Sequence, residues 1–438
     1  MATSELSPEL ERLVNDHAGR IVSCKRSDAG ASRITWLIGT NRQRCVLRED
    51  PGDGPVANTP LNLAREASVY RALSDTNVLI PRLLGSVDNA ILMEMATGSP
   101  DLAELSEEAI ESVMNSYIDG LADLHLVEVD DRFATLDPPS GPEDAAAANV
   151  NLWAGILSSR VRRASPLATY VTRWLLERAP RDAEQLTVCH GDIGPGNFMH
   201  NGEHLTAMLD WEFVHVGDPM DDLAWLAFRG HHLGGNVGDF EQQLTRWQAK
   251  TGYEINRRRI AYYRIMVMYI WLVSCLAALD NGAKNLNRFT YLNLITLMGV
   301  ILPRAIMEYD GLPVPDVEVD LAPVNNELTE NTQALADLIA LTWSRSEPGL
   351  GLVETMARQV SALAQLRPDI LDQNSAAVRN LTGESDYNYE EILDQWIRSN
   401  PGHDPEILNL LYEMGSRRIT PDISLAPVAA KPLMKLTD

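Results

Sequence analysis

One loop and the strand after it restrict this chain more than any other part of its sequence. Residues 190–197 read His-Gly-Asp-Ile-Gly-Pro-Gly-Asn, and residues 209–212 read Leu-Asp-Trp-Glu at the end of a hydrophobic segment. The glycines permit sharp backbone turns, so the side chains of Asp192 and Asn197 can face one small cavity. The strand predicted between the two motifs would bring Asp210 to the same cavity.

These side chains suit phosphoryl transfer. That reaction needs a carboxylate to orient or accept the proton of the attacking hydroxyl, and oxygen ligands to hold Mg²⁺. Asp192 fits the first role, Asn197 and Asp210 fit the second, and His190 would orient the loop from behind. The alternative is a surface turn in which Asn and Asp are only turn formers. The complete spacing of the loop and the later Asp argues against it.

The first 95 residues predict an α+β unit. Strand-forming and helical segments alternate there: Arg20–Cys24, Ile34–Ile38, Cys45–Arg48, Leu61–Leu73, Ile80–Gly85 and Asn89–Met95. Arg48 ends the third predicted strand, and Glu66 lies early in the next helix. Nucleotide-binding lobes of the kinase type use such a cation and acid as an ion pair near the phosphates. Taken alone, each is usually a surface residue.

Composition and pattern divide the chain into regions 1–95, 96–310 and 311–438. The middle region is predicted to be mainly helical, apart from short strands around the loop at 186–212. The tail opens with two prolines, at 313 and 315, and then shows helical patterns near 325–344, 350–366, 390–397 and 405–414. Three roles remain open for it: covering a substrate cleft, forming a homodimer contact, or binding another partner.

Charge and cysteine content restrict the classes of binding partner and the cellular location that the sequence favours. The 438 residues carry a formal net charge of -24, which argues against nucleic acid or an anionic membrane surface as a partner. Four scattered cysteines without a Cys-x-x-Cys pair do not indicate a zinc site or a disulfide framework, so a cytoplasmic location is expected. The N-terminus does not look like a secretory signal. The longest apolar run, Ile265–Leu279, is too short for a membrane span and predicts a buried helix.

The motifs resemble those of the aminoglycoside phosphotransferase and choline kinase family, a branch of the protein-kinase-like fold. Their style is similar to the bacterial branch near the kinase domains of acyl-CoA dehydrogenase-type proteins. The resemblance covers about residues 20–305. It implies an α+β, bilobal fold with a small antiparallel β-sheet N-lobe (1–95), a mainly helical C-lobe (96–310) and a helical C-terminal extension (311–438).

The resemblance also implies roles for the motif residues. Asp192 matches the catalytic Asp, and His190 matches the first, structural residue of the same motif. Asn197 and Asp210 match the Mg²⁺ ligands. Arg48 stands where protein kinases have a Lys, so its phosphate contacts would be bidentate rather than those of a point charge.

Further contacts to ATP are implied by position. The turn between the first two strands would offer backbone N–H groups, a hydroxyl and a charge to the phosphates. The segment 91–96, at the end of the fifth strand, would read adenine mainly through main-chain groups. The residues concerned are Gly30, Ser32, Arg33, Met93, Glu94 and Ala96. A plain β-turn and a buried strand followed by a loop are the alternatives.

Four further residues match family segments. Asp218 and Asp222 are predicted to cap a helix and to brace the catalytic loop. His125 is interpreted as a packed, hydrogen-bonded histidine rather than a catalytic one. For Glu212 two roles are open, in the outer shell of the metal or as the partner of a neighbouring cation.

The acceptor is predicted to be a hydroxyl group of a small molecule, with a lean towards hydroxylated or hydroxyacyl substrates of catabolism. An aminoglycoside or amino-alcohol kinase is the first alternative. The basic runs at 160–163 and 257–259 would contact an anionic substrate or lie on solvated helix faces. A nucleotide-binding pseudokinase that acts through its interactions is the alternative from another class. No Ala-Pro-Glu segment follows Asp210, which disfavours a protein substrate.

Overall fold

Five antiparallel strands form the sheet of the smaller lobe in the computed structural model. The strands are β1 Ile21–Arg26, β2 Ile34–Thr40, β3 Arg44–Glu49, β4 Leu83–Val87 and β5 Ala90–Glu94. Their order in the sheet is β1-β2-β3-β5-β4, which confirms the predicted hairpin and third strand. The structure describes residues 6–27, 33–52, 54–233, 237–282, 285–317, 370–384, 388–402, 404–418 and 426–436.

Two helices complete the smaller lobe. Helix α1 spans Pro8–His17 and helix α2 spans Leu63–Leu73. Ser7 and Asn62 cap them by accepting a backbone N–H with their side-chain oxygens, as N-cap residues do. Most residues of α2 are buried, including Glu66. This helix is the next element after β3 along the chain, and it places Glu66 beside Arg48.

The segment that joins the two lobes is tied to the larger lobe. Ser99 and His200 exchange backbone hydrogen bonds of 2.9 Å in both directions, and the Thr206 hydroxyl donates to the carbonyl of Thr97 at 2.6 Å. Gly98 has φ +108°, and a Cβ atom there would lie 2.2 Å from the carbonyl oxygen of His200. Only glycine fits this close approach.

Helices build the larger lobe. They are α3 Glu107–His125, α4 Ala145–Arg160, α5 Pro166–Glu177, α6 Met220–Trp225, α7 Phe240–Thr251, α8 Arg257–Asp280 and α9 Asn285–Asp310. A π-helical segment, Leu226–Leu233, continues directly from α6. By length and composition α8 and the Thr290–Asp310 part of α9 could cross a membrane, but 89% of the apolar window of α8 is buried in the fold. The predicted buried helix is therefore confirmed, whereas the expectation that this segment is too short for a membrane span is wrong, because the helix has 24 residues.

Short strands frame the loop at 190–197. Strand β6 (Thr187–Cys189) pairs with β9 (His215–Gly217), and β7 (Phe198–His200) pairs with β8 (Leu205–Met208). The sequence predicts β6 and β8 but neither β7 nor β9. The three residues of β7 and of β9 are too few to show an alternating pattern, whereas β6 is predicted as part of a longer segment, Leu186–Cys189.

Four helices of the tail are described. They are α10 at 370–382, α11 Tyr389–Ser399, α12 Asp404–Arg418 and α13 Ala426–Ala430. Their apolar side chains, including Leu393, Ile397 and Leu408, belong to the same hydrophobic core as the larger lobe. The described tail is thus packed onto that lobe. The helices predicted at 325–344 and 350–366 lie outside the described residues.

The packing of α12 on α9 gives a stability prediction. A Cβ atom at Gly415 would lie 2.0 Å from the carbonyl oxygen of Gly299, whereas a Cβ at Gly299 would meet only the Cα of Gly415, at 3.4 Å. We expect Gly415→Ala to destabilise the fold by about 1 to 3 kcal/mol. Gly299→Ala is the matched control, and its helix propensity should leave stability unchanged or higher. Chemical denaturation measures both, and equal effects would contradict this packing.

Candidate active site

The main chain at the start of the catalytic loop is held by one carboxylate. The Oδ2 and Oδ1 atoms of Asp222 accept the backbone N–H groups of His190 and Gly191, each at 2.8 Å. His125 Nε2 donates to Asp222 at 3.0 Å, because its Nδ1 already accepts from Trp247 Nε1 at 3.0 Å. The predictions that Asp222 braces the loop and that His125 is a packed histidine are confirmed.

Asp222 and its neighbours His125 and Cys189 have the residue types of a metal site, but their contacts indicate a structural role. The ligand atoms of His125, Cys189 and Asp222 lie within 4.8 Å of one another, and all three residues are buried. Both ring nitrogens of His125 are used in hydrogen bonds. Burial raises the pKa of the Cys189 thiol well above its ordinary value, so the thiolate that binds metals is disfavoured. The group is therefore interpreted as structural.

The turn after His190 requires glycine. Gly191 has φ +80°, and a Cβ atom there would lie 2.3 Å from the carbonyl oxygen of Phe213. Because both the dihedral angle and the contact exclude a side chain, the loop can pass close to the segment that follows Asp210. This passage brings Asp192 and Asp210 into one site.

Both carboxylate oxygens of Asp192 are engaged. Oδ1 lies 2.7 Å from Nη1 of Arg229, and Oδ2 accepts from Nδ2 of Asn197 at 2.6 Å. Burial raises the pKa of Asp192 to about 6, and the carboxylate of Asp210 adds to the rise. A carboxylate in this range can accept a proton near neutral pH, as a general base must.

The two candidate metal ligands are brought together by the β7–β8 hairpin. The carbonyl of Asn197 accepts the N–H of Leu209 at 2.8 Å, and the carbonyl of Leu209 accepts from His190 Nε2 at 2.8 Å. Burial lowers the pKa of His190, so its ring is neutral and donates through Nε2. His190 therefore acts on the site by positioning the residue before Asp210.

Asp210 itself has an unusual backbone. Its φ is +63°, a region that residues other than glycine rarely adopt and that tends to occur at functional sites. Burial alone would raise the pKa of Asp210, but the charge and hydrogen bond of Arg48 outweigh burial and lower it. The side chain therefore stays ionised.

Arg48 joins the two lobes. Its Nη1 pairs with Oε1 of Glu66 on α2, and its Nη2 lies 2.6 Å from Oδ1 of Asp210. The predicted Arg48–Glu66 pair is thus confirmed as a contact, and the structure adds Asp210 to it. Burial lowers the pKa of Arg48, but these two acids raise it more strongly, and Glu212 raises it further. Both roles considered for Glu212 stay open.

The neighbour of Glu66 fixes α2 against the larger lobe. Arg65 donates from Nη2 to the carbonyl of Val214 at 3.1 Å and from Nη1 to the carbonyl of Thr135 at 3.3 Å. Both acceptors lie in the larger lobe, so α2 cannot rotate without breaking these bonds. This anchor holds Glu66 in reach of Arg48.

The residues around Asp210 fit a divalent cation. Oδ1 of Asp210 is bound by Arg48, and Oδ2 has no hydrogen-bond partner among the described residues. Nδ2 of Asn197 must be the atom that faces Asp192, since both of its partners there are acceptors. The amide oxygen of Asn197 is therefore oriented away from Asp192. Carboxylate and amide oxygens are the ligands that Mg²⁺ prefers.

Of the three residues predicted to contact the phosphates from the turn between β1 and β2, only Arg33 lies within the described residues. Gly30 and Ser32 lie outside the described residues. Arg33 is buried, 2.7 Å from Asp50 Oδ2, and donates to the carbonyl of Leu61 at 3.0 Å. A contact between Arg33 and phosphate would have to share these partners, and it stays a prediction.

The predicted adenine segment lies at the end of β5. Met93 is buried and pairs with Val46 across the sheet, and Glu94 pairs with Cys45. Ala96 follows the strand in the segment that joins the lobes. The strand–linker geometry fits the resemblance, and the contacts to adenine stay predictions.

The basic runs are used within the protein. Each arginine has a described partner. In the first run, Arg160 donates to the carbonyl of Gly54, and both Arg162 and Arg163 contact Asp280. In the second run, Arg257 pairs with Glu241, Arg258 lies over the ring of Tyr309, and Arg259 pairs with Asp218. Such partners explain these residues without a ligand. The runs therefore give no support to an anionic substrate.

One residue of the site escaped sequence analysis. Arg229 lies on the π-helical segment, and its guanidinium contacts the catalytic loop at Asp192 and Pro195. The available signal was a single charge directly after the apolar run at 223–228. Sequence alone does not say that this charge faces the loop.

Comparison with known proteins agrees with this geometry. Residues 23–261, more than half of the chain, match the phosphotransferase enzyme family. A protein assigned to the aminoglycoside phosphotransferases from Ralstonia eutropha shares the fold at a TM-score of 0.51 and 20% identity, covering 69% of this chain and 96% of that one. A choline kinase from Streptococcus pneumoniae also superposes at a TM-score of 0.51, with 16% identity over 70% of this chain and all of that one.

Two curated relatives are similar in sequence. Acyl-CoA dehydrogenase family member 10 of Mus musculus is 26% identical over 236 residues, which cover 50% of this chain and 21% of that protein. Acyl-CoA dehydrogenase family member 11 of Rattus norvegicus is 23% identical over 258 residues, which cover 53% of this chain and 33% of that protein. The chain thus matches only a fifth to a third of these relatives. The family match, the kinase-like fold and the loop–strand site together show that the chain belongs to the phosphotransferase enzyme family.

Proposed function

We propose that the chain transfers the γ-phosphoryl group of Mg–ATP to a hydroxyl group of a small molecule, with Asp192 as the general base. One observation carries this proposal: Asp192, Asn197 and Asp210 converge in the larger lobe, and Arg48 links Asp210 to Glu66 in the smaller lobe. Phosphoryl transfer depends mainly on positioning and on electrostatic stabilisation, and this arrangement can supply both.

Each residue has a separate task. Asp192 orients the acceptor hydroxyl and takes its proton. Arg48 binds phosphate oxygens with a guanidinium that Glu66 and Asp210 hold in place. Asn197 and Asp210 would hold the metal ion, which would supply positive charge to neutralise the phosphates. His190 and Asp222 fix the loop that carries Asp192.

For the acceptor we propose a hydroxylated or hydroxyacyl compound. The sequence similarity to acyl-CoA dehydrogenase family members 10 and 11 supports this class. The shared fold with an aminoglycoside phosphotransferase-type protein and a choline kinase keeps amino sugars and amino alcohols as the alternative. A cytoplasmic location, the absence of nucleic-acid and membrane partners, and a homodimer stay predictions.

A comparison of acceptors tests this choice. ADP formation from Mg–ATP is measured with hydroxyacyl-CoA thioesters, free hydroxy acids, simple sugars, amino alcohols and aminoglycosides. We expect the highest kcat/KM with a hydroxyacyl or hydroxy-acid compound. A higher kcat/KM for an aminoglycoside or for choline would reject the substrate class and leave the phosphotransferase reaction intact. Binding of ATP without turnover on any acceptor would favour the pseudokinase interpretation.

The environment of Asp192 predicts a pH profile. Its pKa is raised to about 6 by burial, and only the ionised form accepts a proton. We therefore expect kcat/KM to be level above pH 7 and to fall about tenfold per pH unit below pH 6. Measurement of kcat/KM for the acceptor between pH 5 and 8.5 tests this. A limb centred near pH 4 would show that the carboxylate is not buried as described.

A further inference from the structure

We propose that Arg229 is the positioning residue of the catalytic loop, holding the Asp192 carboxylate and the main chain at 192–195 in the orientation that receives the proton of the acceptor hydroxyl. The proposal rests on the proposed function and adds a residue that the motif does not contain. Arg229 lies 32 positions beyond the end of the 190–197 loop.

Three contacts carry the inference. Nη1 of Arg229 lies 2.7 Å from Oδ1 of Asp192 and donates to the carbonyl oxygen of Asp192 at 2.9 Å, while Nη2 donates to the carbonyl oxygen of Pro195 at 3.0 Å. One planar guanidinium thus joins a side chain and two main-chain groups of the same loop. A lysine ammonium lacks this fixed fork. The Arg229 side chain is only 17% exposed, so water competes little for these contacts.

The loop needs a cation from elsewhere. Residues 190–197 contain neither Lys nor Arg, although a carboxylate and two inward carbonyl oxygens meet there. Arg229 supplies the positive charge, and Asn197 donates to the second carboxylate oxygen at 2.6 Å. The ion pair at Oδ1 and the hydrogen bond at Oδ2 both restrain the carboxylate. Buried charged groups are stable only when they are paired in this way.

The backbone of the loop is adapted to Arg229. A Cβ atom at Gly194 would lie 2.8 Å from the Cβ of Arg229, so only glycine at 194 lets the arginine backbone approach this closely. Arg229 lies on the π-helical segment Leu226–Leu233. Such segments shift the register of side chains and are frequent at functional sites. The glycine and the π-helix place the guanidinium over the loop.

Kinetics with matched variants test the proposal. The variants are Arg229→Ala, Arg229→Lys and, as control, Arg246→Ala, which removes an ion pair with Asp119 elsewhere on the same lobe. ADP release from Mg–ATP is measured with the best acceptor of the panel above and with water alone. We expect Arg229→Ala to lower kcat about 100-fold and to change KM for ATP less than threefold, with Arg229→Lys intermediate. Guanidinium ion should restore at least tenfold to Arg229→Ala and nothing to wild type or Arg246→Ala.

A kcat within threefold of wild type in Arg229→Ala would overturn the proposal, as would a loss of ATP binding equal to the loss of kcat. Hydrogen exchange gives an independent readout, because the N–H groups of Gly191 and Gly194 are hydrogen-bonded in the native loop. We expect exchange in peptides covering 190–197 to rise at least tenfold in Arg229→Ala, with α3 unchanged. Unchanged exchange in Arg229→Ala would overturn the proposal whether or not wild type shows turnover. Absence of turnover in wild type would count against the proposed function and not against the positioning role of Arg229.

Discussion

Asp192→Asn is expected to lower kcat on the order of a thousandfold while ATP binds with an affinity within threefold of wild type. The amide cannot accept the hydroxyl proton, and general-base catalysis is worth roughly 10² to 10⁴ in rate. The groups proposed to hold the nucleotide, Arg48 and Glu66, do not contact Asp192 among the described contacts. Steady-state kinetics and calorimetric ATP titration measure the two effects separately.

Stability separates this loss from unfolding. Burial raises the pKa of Asp192, which means that its charged form is unfavourable in the folded chain. We therefore expect the Tm of Asp192→Asn to equal or exceed that of wild type, a common pattern at active sites. Asp119→Asn, at a surface ion pair with Arg246, is the matched control and should keep full activity. A lower Tm with weakened ATP binding would show that Asp192 is structural.

Arg48→Met is expected to damage both stability and nucleotide binding. The substitution leaves Glu66, which is 2% exposed in its side chain, without its partner, and breaking a buried ion pair costs about 3 to 5 kcal/mol. Asp210 loses the same guanidinium. The free energy of unfolding from chemical denaturation and the affinity from ATP titration should therefore both fall, and KM for ATP should rise at least tenfold. Arg82→Ala, which breaks an exposed pair with Glu94 on the same sheet, should leave Tm unchanged.

A double variant distinguishes the two roles of Arg48. Arg48→Met combined with Glu66→Leu removes both charges, and replacing a buried pair by apolar residues is often neutral for stability. We expect the double variant to recover most of the lost stability and none of the lost ATP affinity. Recovery of both would show that Arg48 only neutralises Glu66. Recovery of neither would show that the site depends on more than this pair.

The sequence predicts those parts of the site that depend on order and local pattern. Asp192 and Asn197 lie in one short loop, and Arg48 and Glu66 follow from a strand and helix with clear periodicity. Asp222 is predicted as a brace because residues 217–224 match a segment of the family that the motifs resemble. In each case the element that carries the residue can be read from its own neighbours.

Other parts depend on tertiary packing. Arg229 reaches the loop only because a π-helix sets its register, and no local pattern predicts that register. Arg33 pairs with Asp50, a contact that no local pattern predicts. Asp50 therefore competes with phosphate for the Arg33 guanidinium. The left-handed backbone of Asp210 is uncommon for a residue other than glycine, although Asp adopts it more readily than most, and no local pattern of the sequence predicts it.

Transfer of the labelled γ-phosphoryl group of ATP in a single turnover tests the central claim most directly. Wild type and Asp192→Asn are each mixed with ATP and the preferred alcohol, with Mg²⁺ or with a chelator, and the products are separated. We predict that the label appears in the phosphorylated alcohol only with wild type and Mg²⁺. Label found only in inorganic phosphate or on the protein itself, or equal transfer by Asp192→Asn, would contradict a phosphotransferase centred on Asp192, Asn197 and Asp210.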